Sequence, residues 1–575
     1  MIKEKYINKI SYILLSIALF LCFIIYFYNK FTPETLITPE YVNKIFNKDK
    51  VLEINIEISD ENFKKLKENA LQEEYVVANI TINDTTINNV GIRAKGNSSL
   101  QQVSSSDSDR FSFKVNFSEY ISDQNLYGLE KLVLNNMIGD TTYMKEYLSY
   151  DLIEFLGVNT PAYAFANIKI NNNDWGLYLA IETLEEDFLE RYYGKDYGNL
   201  YKPESNKIGD NKDKLKSPPN NKNDNKPIFQ NNTYNNNFQP LNNSNTNNTF
   251  QPPNDINKKT SSMPNSPPNM INNKETALVY IDDNTSSYSK IFDSVVTKGL
   301  TEVDKNNFIK MIKSLNTGEN IEKYINVDEV LRYFAANTFL VNLDSYAGSM
   351  KHNYYLYEEN GIFEILPWDF NLSFGTFQIN DASKVVNFPI DTPVTDSMEN
   401  SPLISSLLNI EEYKNLYHSY LNDIVNNYVN NRYFENKINY LNELIYEYVK
   451  NDKTSFYTLD EYILGIENLL IFANDRAKSI YLQLNNIQPS TEYGTLETTL
   501  NLDALGHMPN DKNKEFNKNN NQNIKNNIEN KIKSPNINLN NKINTLILLK
   551  ILLYFLLIII SLIYVFLYKN KRFNI

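Results

Sequence analysis

Cysteine and histidine are nearly absent from this sequence. It contains one cysteine, Cys22, and three histidines among 575 residues. A single cysteine excludes an intramolecular disulfide framework, and so few thiol and imidazole groups argue against a His/Cys metal site. A metal ion bound by this protein would therefore be a hard cation held by oxygen ligands.

The chain also lacks an excess of basic residues. It carries 56 Lys and Arg against 69 Asp and Glu, which gives a net charge of −13 and a pI near 5.1. Nucleic-acid binding needs a concentrated basic face, so this balance argues against nucleic acid as a partner. Apolar residues are plentiful: 42% of the chain is hydrophobic, and its 41 tyrosines favour a sheet-rich fold with a sizeable core.

Two long hydrophobic runs lie near the ends of the chain. Residues 10–28 follow three lysines and are long enough to span a bilayer, and no small-residue cleavage site follows them. They predict an uncleaved N-terminal anchor within residues 1–30. Residues 546–568 predict a second membrane helix with a basic tail. Basic residues outside both spans favour cytoplasmic termini, so the part between them is predicted to be extracytoplasmic.

Two stretches have a low-complexity composition. Residues 205–273 consist largely of Asn, Pro, Lys and Ser, and residues 489–543 are a polar stretch rich in Asn and Lys. Such segments bury too little apolar surface to fold. We therefore predict one folded domain over residues 50–488, a disordered insertion at 205–273 within it, and a polar tether at 489–543 before the second span.

The periodicity between the two spans predicts an α+β fold. Alternating apolar residues predict strands in the first part, and a hairpin is predicted around the turn "NNDWG". Helical patterns cover residues 143–156 and 327–342, and further helices are predicted between 403 and 484. The N-terminal part is thus strand-rich and the C-terminal part helix-rich.

A polar turn is predicted after the strand "VGIRAK". Gly96 is followed by Asn97 and Ser98, and Lys95 precedes it. Free backbone N–H groups and hydroxyls in such a turn can cradle phosphates, with Lys95 neutralising their charge. An ordinary hairpin turn would have the same composition.

Three further charged residues lie on predicted elements of the strand-rich part. Lys114 lies on the polar face of the strand "RFSFKVNF", where it could contact phosphate oxygens. Glu146 lies on the helix 143–156 and could pair with a strand lysine across a cleft. Glu182 ends an apolar strand, which indicates partial burial. Each residue could equally be an ordinary surface or structural charge.

Two aspartates flank a predicted hairpin in the helix-rich part. Asp344 follows an apolar helix, Asn353 precedes the strand "YYLY", and Asp369 follows Trp368 at the end of the next strand. Carboxylates among aromatic residues are costly unless they are paired, hydrogen-bonded or bound to a metal. Two carboxylates and an amide oxygen suit Mg²⁺. Alternatively, the two aspartates stabilise a turn and a loop.

These features follow one another in the order of a protein-kinase active site. A glycine turn, a strand lysine, a helix glutamate and a hairpin precede the two aspartates. No "HRD" precedes Asp344, Asn353 follows nine residues later, and "DFNLSFG" replaces "DFG". An ordinary eukaryotic-type kinase is excluded by these differences. A distant kinase-like fold with two lobes agrees with them.

The sequence resembles the spore-coat protein H (CotH) kinase family between about residues 51 and 375. The stretches that carry the resemblance include "VGIRAKGNSSL", "FSFKVNF", "GNLYK", "DSYAGSMKHNYYLY" and "ILPWDFNLSFG". The resemblance implies an atypical protein kinase that uses ATP and Mg²⁺ or Mn²⁺. Its substrates would be serines, or threonines, of Ser-rich spore-coat or surface proteins, which suggests a spore-surface location.

The resemblance also implies roles for individual residues. Asp344 would be the catalytic-loop aspartate, and Asp369 and Asn353 would bind the metal. Lys114 and Glu146 would be the phosphate-contacting lysine and its partner, and Glu182 would lie near the hinge side of the nucleotide.

Two other functions agree with the same sequence. One is a catalytically inactive, membrane-tethered scaffold or adhesin that keeps the fold. The other is a nucleotide-binding enzyme that transfers a nucleotidyl group. A scaffold would not need Asp344, Asn353 and Asp369 together, and these residues therefore favour phosphate transfer.

Overall fold

The alternating runs of the first part form a closed barrel. The computed structural model describes residues 38–203 and 274–506, and all elements below belong to that part of the chain. The barrel strands are β1 (Leu52–Glu57), β2 (Val76–Ile82), β3 (Thr85–Lys95), β4 (Ser112–Asn116), β5 (Lys131–Asn135), β6 (Tyr163–Ile170) and β7 (Asn173–Glu182). Their order is β1-β2-β3-β4-β5-β7-β6, and a parallel β1–β6 pairing closes the barrel.

The period of two along each strand divides the barrel into an inner and an outer face. Ile54, Val115 and Leu134 belong to the apolar cluster inside. The outer face of β3 and β4 carries basic side chains, since Arg93 pairs in register with Lys114. The polar face predicted for "RFSFKVNF" is therefore confirmed.

Helices dominate the rest of the described chain, together with a small sheet. The helices are α1 (Glu40–Ile45), α2 (Asp60–Glu68), α3 (Ser98–Ser104), α4 (Lys145–Phe155), α5 (Glu186–Tyr193), α6 (Ser289–Phe292), α7 (Glu302–Thr317), α8 (Val327–Leu340), α9 (Ala382–Val386), α10 (Pro402–Leu408), α11 (Glu411–Asp423), α12 (Tyr433–Asn451) and α13 (Leu459–Leu484). A π-helical segment, Ile424–Asn430, continues α11. Strands β8 (Asn199–Tyr201), β9 (Tyr354–Glu359) and β10 (Ile362–Pro367) form a sheet of order β10-β9-β8.

Helix α4 lies between the barrel and the helical part. Nine of its eleven residues are buried, including the charged Lys145 and Glu146. Tyr147 stacks on Phe165 of β6 with ring centroids 5.0 Å apart, and other residues of α4 contact α8. Polar side chains on such a buried helix must form hydrogen bonds inside the protein. The packing of α4 therefore fixes where its polar side chains lie.

A buried ion pair joins the helical part to the barrel. Arg110 Nη1 donates to Asp452 Oδ2 at 2.7 Å, and the two side chains are 1% and 0% exposed. Asp452 follows α12, and Thr454 beside it accepts a second bond from Arg110 at 2.6 Å. Separating a buried pair leaves uncompensated charges, which is costly. This contact therefore fixes how the helical part is oriented on the barrel.

The mixed α+β class is confirmed, with strands first and helices after. No helix within residues 38–203 and 274–506 is long and apolar enough to cross a membrane. The predicted spans, 10–28 and 546–568, lie outside the described residues and stay predictions. The insertion at 205–273 also lies outside them, as does most of the tether.

The folded part reaches beyond residues 50–488 at both ends. Tyr41 of α1 is 2% exposed, and Leu505 is fully buried in a short 3₁₀ segment, Leu502–Leu505. Both side chains belong to the apolar cores. Truncation at residues 50 and 488 would remove them, so experiments on this protein should use a longer chain.

The buried carboxyl group of Glu329 in α8 should make the free energy of unfolding depend on pH. Its Oε2 accepts the N–H of Ile365 at 3.1 Å, and its Oε1 is buried without a hydrogen-bond partner. Burial, and then the charge of Glu364, hold the pKa of Glu329 well above its usual range. The unfolded chain releases this proton near pH 4.5 and the folded chain keeps it. The free energy of unfolding should therefore fall as pH rises from that value.

The variant Glu329→Gln should lose this part of the pH dependence of the free energy of unfolding, because the amide does not titrate. Urea denaturation of the full chain between about pH 5 and pH 7 measures it. Glu443→Gln, at an exposed position of α12, is the matched control and should keep the wild-type slope. An unchanged slope in Glu329→Gln would show that Glu329 is ionised in the folded protein.

Candidate active site

The hairpin β9–β10 brings three of the predicted residues to one end. Tyr354 pairs with Pro367 in the last step of the ladder, so Asn353 and Trp368 leave the hairpin side by side. Asp369 follows directly. Asn353 Nδ2 donates to the carbonyl oxygen of Asp344 at 3.0 Å and to its Oδ2 at 3.1 Å. Asp344, Asn353 and Asp369 therefore lie around the open end of this hairpin.

The backbone is left-handed at several points of these loops. Val341, Lys351, Asn353 and Asp369 have φ angles of 47°, 51°, 54° and 61°. Asn and Asp tolerate this conformation, whereas a β-branched residue such as Val does so at a cost. The surrounding core imposes the conformation on Val341, which ends α8 and turns the chain into the Asp344 loop. Strained positions of this kind concentrate at functional sites.

Asp344 is almost buried and is held on both carboxylate oxygens. It is 8% exposed, and His352 Nε2 lies 2.9 Å from its Oδ1 while Asn353 occupies Oδ2. Sequence reasoning missed His352. The available signal was its rarity, because it is one of three histidines in the chain and directly precedes Asn353. Together His352 and Asn353 fix the orientation of the Asp344 carboxylate.

Glu146 and Asp369 are joined through a tyrosine of α4. Tyr150 donates its hydroxyl to Glu146 Oε1 at 3.0 Å, and the same hydroxyl accepts the N–H of Asp369 at 3.3 Å. Residues four apart share one face of a helix, which explains why Glu146 and Tyr150 meet. The helix glutamate and the strand-end aspartate therefore belong to one site.

Lys95 is connected to Glu146 by Asn135, a residue of the barrel strand β5. Its Nζ donates to Asn135 Oδ1 at 3.1 Å, and Asn135 Nδ2 donates to Glu146 Oε2 at 2.7 Å. Lys95 Nζ also lies 5.5 Å from the ring centroid of Trp368, the neighbour of Asp369. One network of contacts thus connects Lys95 to Glu146 and Asp369. Asn135 is a further residue that sequence reasoning missed.

The site concentrates negative charge. Burial is the main cause that raises the pKa of Glu146 to about 7, and the charge of Asp369 adds to it while Lys95 opposes it. A cation bound beside Asp369 would offset the effect of that charge on Glu146 and favour the ionised form of Glu146. The pKa of Tyr150 is raised well above its usual range by burial and by the same two carboxylates, so its hydroxyl stays protonated.

The predicted pairing of Lys114 with Glu146 is wrong. Lys114 Nζ lies 2.6 Å from Glu185 Oε1, and Lys131 binds the other oxygen of Glu185. The reason is register: Lys95 pairs with Ser112, at the end of the ladder nearest Asn135, and Lys114 lies two residues further along β4. Two residues along a strand are about 7 Å. A role for Lys114 in cofactor binding stays a prediction.

Glu182 has a separate set of hydrogen-bond partners. Glu182 is fully buried; the hydroxyl of Tyr41 donates to its Oε1 at 2.5 Å and the N–H of Ala162 to its Oε2 at 2.8 Å. The guanidinium of Arg191 also binds both oxygens. Its carboxylate is thus occupied by protein groups, and a position near the hinge side of a nucleotide stays a prediction.

The polar turn predicted at Gly96 is instead the start of a helix. Ser98 is the first residue of α3, which buries Leu100 and Val103. Those two apolar side chains, three residues apart, explain why the chain coils here and does not form a hairpin turn. Ser98 therefore lies in the first turn of a helix, and a role for it in phosphate binding stays a prediction.

The donor set fits a hard divalent cation that is completed by substrate. Within the described residues no group of three or more His, Cys, Asp and Glu side chains could hold a metal ion alone. Mg²⁺ is commonly bound by one or two carboxylates together with substrate phosphates and water. Asp369, which is partly exposed, and the amide oxygen of Asn353 at the same end of the hairpin are donors of that kind.

Comparison with known proteins identifies the family of this chain. The family model described as CotH kinase protein matches residues 92–263 and 266–480. The inner spore coat protein H of Bacillus subtilis (strain 168) is 22% identical over 267 residues, which are 43% of this chain and 51% of the relative. The chain spans about half the length of that curated relative. Since the family model covers most of the chain, including both aspartate segments, the protein belongs to the CotH kinase protein family.

Proposed function

We propose that the protein is an atypical protein kinase that transfers the γ-phosphate of ATP to serine, or threonine, of spore-coat or surface proteins. The observation that carries the proposal is the contact network from Lys95 through Asn135 to Glu146 and Asp369. The Lys95 ammonium is connected through Asn135 to Glu146, and the charges of Lys95 and Asp369 both act on Glu146. Family membership and the name of the Bacillus relative support the same function.

Each side chain has a distinct part in the proposed reaction. Mg²⁺, when bound, would neutralise the β- and γ-phosphates, and Asp369 and Asn353 are the residues that would hold it. Lys95 neutralises phosphate oxygens, and Glu146 with Asn135 keeps its ammonium in place. Positioning and electrostatic stabilisation supply most of the catalysis in phosphate transfer.

Asp344 acts on the acceptor. Its carboxylate, oriented by His352 and Asn353, accepts the proton of the substrate hydroxyl. The serine oxygen forms a bond to the γ-phosphorus while the bond from that phosphorus to the β–γ bridging oxygen breaks, and ADP leaves. A general base must lie within hydrogen-bond reach of the proton it takes, which requires the acceptor serine to approach Asp344.

The predicted membrane spans would place this reaction at a surface. If residues 10–28 and 546–568 anchor the chain, the domain between them faces away from the cytoplasm or lies on the spore surface. The name of the Bacillus relative, an inner spore coat protein, supports a coat location for this chain as well.

The proposal is tested with the full chain, γ-labelled ATP, Mg²⁺ or Mn²⁺, and a Ser-rich acceptor peptide beside its Ser→Ala counterpart. Label should enter the serine peptide, and Asp369→Asn should lower the rate at least about tenfold, since a metal-binding carboxylate is lost. Asp84→Asn, at an exposed turn, should keep the wild-type rate.

An inactive scaffold gives a different pair of results. It would transfer no label, and Mg²⁺·ATP would not raise its melting temperature. That outcome would move the interpretation to a membrane-tethered scaffold or adhesin.

A further inference from the structure

Helix α4 begins with a lysine that is completely buried. Lys145 directly precedes Glu146 and has no exposed surface. Its ammonium donates to the carbonyl oxygen of Gly139 at 2.7 Å and to the hydroxyl of Thr376 at 2.9 Å. Thr376 belongs to the segment 369–376, which starts at Asp369. A residue of the helix that carries Glu146 is thus bonded to the far end of the segment that carries Asp369.

A second contact fastens the same segment one helical turn further on. The hydroxyls of Ser149 and Ser373 lie 2.8 Å apart, and Thr376 Oγ1 donates to the carbonyl oxygen of Ser373 at 3.0 Å. Lys145 and Ser149 are four residues apart and therefore share a face of α4. Glu146 and Tyr150, also four apart, form the neighbouring face that reaches Asp369. The segment is held at both of its ends by one helix.

Burial of this lysine is costly, and packing does not explain it. Both hydrogen-bond acceptors of the ammonium are uncharged, while Asp140 accepts the backbone N–H of Lys145 at 2.8 Å. Burial lowers the pKa of Lys145 to about 8, although the charge of Asp140 opposes the effect. An apolar side chain of similar length would avoid this penalty. The contact with the segment 369–376 is what a methionine could not supply.

We propose that Lys145 is a positioning residue of the active site. It fixes the segment 369–376 on α4, so that Asp369 keeps its geometry relative to Glu146 and Tyr150. This inference rests on the proposed function, because the geometry matters for catalysis only if Asp369 binds the metal of a phosphate-transfer reaction.

The test compares Lys145→Met with Thr376→Val, which removes the acceptor hydroxyl and keeps the shape of the side chain. Both variants should need at least tenfold more Mg²⁺ for half-maximal transfer. Their effects should not add in the double variant, because both break the same contact. Hydrogen exchange, measured without nucleotide, should be at least tenfold faster for the amides of 370–376 in each variant.

Arg476→Gln is the matched control for lost stability. Arg476 is also a fully buried cation, and its guanidinium donates to the carbonyl oxygens of Val386, Phe388 and Thr338. This variant should lower the melting temperature and keep the wild-type Mg²⁺ requirement. If Lys145→Met does not fold, Thr376→Val alone tests whether the contact between Lys145 and Thr376 positions the segment 369–376.

The outcomes separate the inference from the proposed function. Variants that melt earlier but keep the wild-type Mg²⁺ requirement and the wild-type exchange of 370–376 would overturn the inference. A wild-type protein that transfers no phosphate would overturn the proposed function, while the exchange measurement would still show whether Lys145 holds the segment.

Discussion

Replacing Asp344 by asparagine is expected to lower the rate of phosphate transfer roughly a thousandfold, within the range for loss of a general base. The amide keeps the size of the side chain and fills the same place between His352 and Asn353. It cannot accept the proton of a substrate hydroxyl. Because Asp344 acts on the acceptor, binding of Mg²⁺·ATP should change little, and the loss should be in kcat.

Single-turnover transfer and the Mg²⁺·ATP-dependent rise in melting temperature measure these two effects separately. Asp328→Asn is the control, because Asp328 lies in the first turn of α8 and its side chain is 52% exposed. The control should transfer phosphate at the wild-type rate. A single-turnover rate in Asp344→Asn close to that of wild type would remove Asp344 from the mechanism.

Lys95→Met is expected to reduce phosphate transfer roughly a hundredfold, as loss of one electrostatic contact to the transition state does. Lys95 opposes the rise in the pKa of Glu146, so the variant should also shift that titration upward. Lys114→Met should affect transfer at least tenfold less. Lys114 is bound to Glu185, which keeps a second partner in Lys131.

The comparison of these two lysines is best made on kcat/KM for ATP in parallel preparations. Sequence reasoning favours Lys114 as the partner of Glu146, whereas the contacts favour Lys95. A larger loss in Lys114→Met than in Lys95→Met would mean that the ATP-bound arrangement differs from the contacts described above.

Local patterns predicted much of the fold. Period-two alternation identified the strands, and turn residues identified the β6–β7 and β9–β10 hairpins, because both signals lie within a few residues of one another. The hairpin also brought Asn353 and Asp369 together correctly, since the ends of a hairpin are adjacent by construction. Asp344 joined them because the loop that contains it leads into β9.

Contacts between distant elements could not be predicted in the same way. Which strand lysine meets Glu146 depends on the register of β3, β4 and β5, and one sequence does not contain that register. Lys114, the predicted partner of Glu146, is bonded to Glu185 instead for this reason. Glu182 bonds to Tyr41, 141 residues away, and this contact is invisible in its neighbours along the chain.

The burial of polar groups was the other feature that the sequence did not predict. Lys145 looks like an ordinary charged residue at the start of a helix, and its burial follows from α4 being enclosed on all sides. The same holds for the buried pair of Arg110 and Asp452, which are 342 residues apart. Sequence patterns reveal which residues could carry charge, and tertiary packing decides which of them are desolvated.

Transfer of the γ-phosphate to serine is tested most directly with two labelled forms of ATP. ATP labelled at the γ-phosphate and, in parallel, ATP labelled at the α-phosphate are offered to the wild-type chain with Mg²⁺ and a serine acceptor. The γ-label should enter the acceptor, and ADP should form in equal amount. Entry of the α-label would show nucleotidyl transfer and contradict phosphate transfer at the Asp344–Asp369 site.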